Sequence, residues 1–140
     1  MALDTKQDVE QLADGLTESA NESHGWLLDA IKSNKITPDQ ARVAFQQETL
    51  LRQQANSLLI DAATCIVQGL TQSQKDFMGI IDEANQRIAK IKKIAAYLDL
   101  LADILSLATA AYAAKPKPIL AALKEVKQDV EDLRPKSAKS

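Results

Sequence analysis

The sequence predicts an all-α fold: an elongated antiparallel helical bundle of about four helices, built on a long, coiled-coil-like central helix. Three observations carry this. Aromatic residues make up 4% of the chain and Gly and Pro number four each, so little interrupts a composition rich in good helix formers such as Ala, Leu, Gln and Lys. Apolar residues recur at alternating four- and three-residue steps, the spacing of helices wound against neighbours. The strong breakers, Pro38, Gly69 and the Pro116/Pro118 pair, fall between those stretches.

The first helix is expected over residues 4–33. Asp4 or Thr5 caps it, and Val9, Leu12, Leu16, Ala20, Leu27 and Ile31 form its stripe. Gly15 and Gly25 each cost about 1 kcal/mol relative to Ala inside a helix, so a kink near His24-Gly25-Trp26 is anticipated. Asn34 suits the left-handed position that ends a helix.

Thr37-Pro38-Asp39-Gln40 reads as a capping box with proline at the first helical position. It opens a second helix over 38–68. Ala44, Leu51, Leu58 and Cys65 recur every seven residues in it, with Ala55 and Ala62 between them. Gly69–Ser73 is expected to turn the chain into an antiparallel hairpin. The less favoured alternative is one helix continuous through Gly69.

The central helix is expected over 73–114. Phe77, Ile81, Ala84, Ile88, Ile91, Ala95, Leu98, Ala102, Leu105, Thr109 and Tyr112 form its seam, and no Pro or Gly interrupts Ile80–Ala114. Such a rod is roughly 60 Å long. Beyond Ile94 the apolar surface spreads to Tyr97, Leu100, Leu101, Ile104 and Leu107, leaving Asp99, Asp103 and Ser106 as a polar strip. A helix apolar nearly all round needs cover on several sides. The fourth helix, 118–134, is about 24 Å long and matches the length of Leu98–Ala113, so it is expected to fold back over it. Residues 135–140 are expected to form a loose basic tail.

For function, the net charge of -2 argues against nucleic acid as a partner. The acidic first 35 residues and the lysines from Lys115 onward read as two solvated surfaces. Cys65 is alone, which excludes an internal disulfide and makes a reducing compartment the default. The first residues lack the apolar core of a signal peptide, giving a cytoplasmic expectation with a signal-independent secretion route left open. His24 lacks a carboxylate or thiol neighbour at motif spacing, and Cys65 sits on an apolar stripe. No catalytic, cofactor-binding or metal site is assigned.

Trp26, Tyr97, Leu100, Ile104 and Leu107 are the candidate interaction residues. Asp99 and Asp103, four apart on one helix face, are a candidate polar switch, with Lys124 or Lys127 of the returning helix as ion-pair partners. The preferred reading is a non-enzymatic bundle acting by protein–protein interaction, as an assembly, adaptor or inhibitory module. Its partner is another protein or a further copy of the chain in a homo-oligomer. The alternative is a membrane-active protein inserting residues 94–114, which are long enough to span a bilayer. Each Asp at mid-membrane costs about 2.5–3.5 kcal/mol, while each Leu or Ile returns about 0.3–0.6. Insertion therefore requires protonation of the pair or an oligomeric pore. An enzyme or cofactor binder using Asp99 and Asp103 ranks last.

Overall fold

Local capping chemistry sets where the helices begin. The computed structural model describes residues 1–134 and is all-helical over them. Its elements are α1 (Lys6–Lys32), α2 (Pro38–Ile60), a 3-10 turn (Ala62–Cys65), α3 (Gln74–Ile88), α4 (Ile94–Ala113) and α5 (Pro116–Leu133). The expected tail at 135–140 lies outside the described residues.

The Thr5 hydroxyl accepts from the Asp8 amide, opening α1. Thr37 and Gln40 form the reciprocal capping box at α2, at 2.9 and 3.1 Å, and Ser73 accepts from Asp76 to open α3. Each side chain satisfies an amide that a helix start leaves without a partner. Asn34 ends α1 at φ 55, and the Lys35 amide reaches back to the Ala30 carbonyl at 2.9 Å, the left-handed closure expected there.

Four expectations are corrected. The central rod is two helices: α3 stops at Ile88 and α4 starts at Ile94. Two apolar stripes compete along this stretch, and they are out of phase. Phe77, Ile81, Ala84, Ile88 and Ile91 are buried, but the inward set then becomes Tyr97, Leu100, Leu101, Ile104, Leu107, Ala108 and Ala111. The continuing seam is lighter and faces outward: Ala95, Thr109 and Tyr112 are exposed, and Leu98, Ala102 and Leu105 are half-buried. Burying the bulkier stripe removes more apolar area from water, and the change of phase costs a helix break.

The second expected helix ends at Ile60 rather than residue 68. Ala62 and Cys65 stay buried through the 3-10 turn, and Val67 and Leu70 are buried beyond it, so the apolar pattern outlasts the helix. α1 runs unbroken through Gly15 and Gly25. α5 starts at Pro116, not Pro118, because both prolines occupy the first turn, where helix amides have no acceptor in any case.

The packing makes a closed ring in the order α1–α2–α4–α5–α3 and back to α1, around one continuous core. The consecutive pair α3 and α4 does not pack side by side. Gln74 meets Asp8 and Gln11, Asn85 meets Gly15, and Trp26 meets Ile91, so α1 and α3 run parallel. α4 begins near Ser23 and ends near Cys65, so it runs with α2. Only α1/α2 and α4/α5 are antiparallel hairpins, which corrects a further expectation: the turn at Gly69–Ser73 does not fold α3 back along α2, and α3 packs on α1 and α5 instead. At the opposite end to the α3–α4 connection, residues 2–3 lie along the segment before α3, with Ala2 bonded to Gln72 and Val67 to Leu3.

Candidate interaction surface

The structure divides the singled-out residues into an internal buttress and an acidic seam. Tyr97, Leu100, Ile104 and Leu107 are each 1% exposed or less, packed within the chain's own ring rather than facing outward. The Tyr97 hydroxyl donates to the Ser23 carbonyl at 3.1 Å, and burial pushes that hydroxyl up to about 12. Trp26 is half-buried and stacks on Tyr97, and its indole Nε1 donates to the Ile91 carbonyl at 2.8 Å. The two aromatics thus clamp the α3–α4 connection onto α1.

Asp99 and Asp103 do not meet Lys124 or Lys127: among the described residues no ion pair joins them. They face Asp129 of α5. Burial first, then the Asp103 carboxyl and the charges of Asp103, Asp99 and Glu125, push Asp129 up to about 8. Its Oδ2 is buried without a donor among the described residues. A carboxyl beside a carboxylate keeps its proton because the pair cannot ionise freely in poor solvent.

Two polar networks escaped the sequence reading because they join distant segments. Glu48 is 7% exposed and holds His24 Nδ1 at 2.8 Å and Arg52 at 3.1 Å, while Arg52 also donates to Asn21. This ties α1 to α2 and gives His24 a structural partner. Asn85 Nδ2 donates to the Gly15 carbonyl at 3.1 Å, and the Ser19 hydroxyl donates to Asn85 Oδ1. Cys65 is buried, and that burial raises its thiol, which makes it an unreactive packing residue.

The surface that remains open is a groove of about 880 Å³ between α4 and α5. Its walls are Ala102, Leu105, Ser106, Thr109, Ala110 and Ala113 of α4, Pro118, Ala121 and Ala122 of α5, and Gln47 of α2. Small side chains keep its floor low. Asp103 and Glu125 line its acidic end. A second hollow, of about 850 Å³, lies along Pro38, Ala41, Phe45 and Leu50, but it is formed by one helix face alone. No protein-family model matches the chain, and no curated protein or solved structure is significantly similar to it.

Proposed function

We propose that the protein is a non-enzymatic helical module that acts by protein–protein interaction through the α4/α5 groove. The observation that supports this is the outward face of α4. The chain's most apolar helix leaves Leu98, Ala102 and Leu105 only half covered and Ala95, Thr109 and Tyr112 exposed, beside a concave wall supplied by α5. Contiguous apolar surface with a polar rim is the usual mark of a docking site, and an open groove between two helices is the shape into which an amphipathic helix packs. Self-association is one form of the same reading.

A photo-crosslinking residue at Leu105 tests it in native host cells, with the same residue at exposed Asn56 on α2 as control. A discrete protein adduct from position 105 and none from 56 is the expected result. No protein adduct from position 105 would remove the reading.

A second reading, conditional membrane insertion, is favoured by one observation. α4 is long and apolar enough to cross a bilayer by length and composition. Leakage of dye-loaded anionic vesicles as pH falls would support it, and intact vesicles throughout would end it.

A further inference from the structure

The groove is not electrically uniform. Asp103 of α4 and Glu125 of α5 line one end, and Asp99 and Asp129 complete the same acidic seam outside the groove lining. Among the described residues none of them has a cationic partner: the seven ion pairs of the structure lie elsewhere. At the other end Pro118 lies beside exposed Lys115 and Lys117. Between the ends the lining is mostly alanine, with Leu105, Ser106 and Thr109 among it. From Ala102 to Ala113 the groove runs about 18 Å, or roughly three helical turns.

An apolar channel with uncompensated negative charge at one end selects its occupant by charge as well as shape. We propose that the α4/α5 groove receives an amphipathic helix of a partner protein that lays an apolar stripe on the alanine-rich floor and sets a Lys or Arg cluster against Asp103 and Glu125. This rests on the protein-interaction reading and names the partner's chemistry. A cation held by Asp103 and Glu125 favours the ionised form of the neighbouring Asp129 and so draws off the proton that Asp129 holds. Asp99, Asp103 and Glu125 are the titratable groups around Asp129, and α2 contributes only Gln47 to the groove wall. Binding is therefore coupled to proton release. The lysines at the far end disfavour a helix bound in the reverse direction.

The test uses stapled helical peptides of about twelve residues, matched to the groove length, since free helices this short are marginal in water. One peptide carries a Leu/Ala stripe with lysines grouped at one end, and its counterpart carries glutamates there. Affinity is measured by calorimetry in two buffers of different ionisation enthalpy. The lysine peptide is expected to bind at least about tenfold tighter than the glutamate peptide, with proton release. Asp103→Asn with Glu125→Gln should weaken it about tenfold while leaving helicity unchanged, and Ala121→Trp, an exposed position that fills the groove, should abolish it.

Equal binding of the two peptides, or binding indifferent to Ala121→Trp, overturns the proposal. Failure of both peptides to bind overturns it too, and if protein adducts at position 105 persist the broader reading survives. Saturable binding to anionic vesicles with no peptide binding also overturns it, in favour of a lipid occupant.

Discussion

Trp26 and Tyr97 stack with ring centroids 4.0 Å apart and planes only 11° from parallel. The pair joins α1 to the first turn of α4, and the indole N–H holds the Ile91 carbonyl in the connection between α3 and α4. The break that separates those helices is thus anchored from outside its own segment. Trp26→Ala should destabilise the fold by about 3–5 kcal/mol, the range for losing a large aromatic. Trp26→Phe keeps the stack but orphans the Ile91 carbonyl and should cost about 1–3 kcal/mol. Urea unfolding followed by circular dichroism measures both.

Gly15 lies on the face of α1 that packs against α3. A Cβ there would stand 3.0 Å from Met78 Cε and 3.1 Å from Ile81 Cγ2. Alanine gains about 1 kcal/mol in helix propensity, which the yielding Met78 end can partly preserve. Gly15→Val has no such relief and should cost about 1–3 kcal/mol through overpacking. Gly25 meets no neighbour within 4 Å, so Gly25→Ala should stabilise. Paired melts of the variants at the two glycines read the difference.

Asn85 lies 7% exposed between α3 and α1. Asn85→Ala removes two bonds between α3 and α1, and the Ser19 hydroxyl falls back on the Gly15 carbonyl, 3.1 Å away, so the cost should lie near the low end, about 1 kcal/mol. Asn85→Ala with Ser19→Ala should cost less than the sum of the single changes. A double-mutant cycle checks that coupling.

Asp129 gives stability an unusual pH dependence for a carboxyl group. Its folded value, about 8, lies above the ordinary 3.8, so between those limits the folded state holds a proton that the unfolded state has lost. Stability contributed by this group is complete below about pH 4 and is lost as pH rises through about 8. Glu83 has the opposite sign: Arg134 first, then Arg87, holds it below the usual range, so its contribution is present at neutral pH and is lost in acid. Asp129→Asn should flatten the alkaline decline and leave the acid limb unchanged, as read by midpoints of urea unfolding from pH 3 to pH 9.

The starts of α1, α2 and α3 were legible because caps are local, whereas α4 and α5 open without a side-chain cap and their starts were not. Thr37-Pro38-Asp39-Gln40 contains its own hydrogen-bonding partners, as do Ser73 with Asp76 and Asn34 at its left-handed turn. The break at 89–93 was not legible from breakers, since neither Pro nor Gly occurs there. It was written instead in the competition between two stripes. The lighter one preserves the heptad of α3, and the heavier one, Tyr97–Leu101–Ile104–Ala108–Ala111, is offset from it. Periodicity rewards regularity, whereas folding rewards buried area. The acidic seam and the Glu48 network depend on which helices become neighbours, and no spacing within a segment encodes that.

The central claim is that α4 turns its heavier stripe inward and presents the lighter one to a partner. Single cysteines placed along α4 in a Cys65→Ser background test it most directly, through rates of maleimide labelling in the folded protein. Ala95→Cys, Ala102→Cys and Thr109→Cys should label rapidly, and Leu101→Cys, Ile104→Cys and Ala108→Cys should be strongly protected. Rapid labelling of the second set with protection of the first would contradict the account.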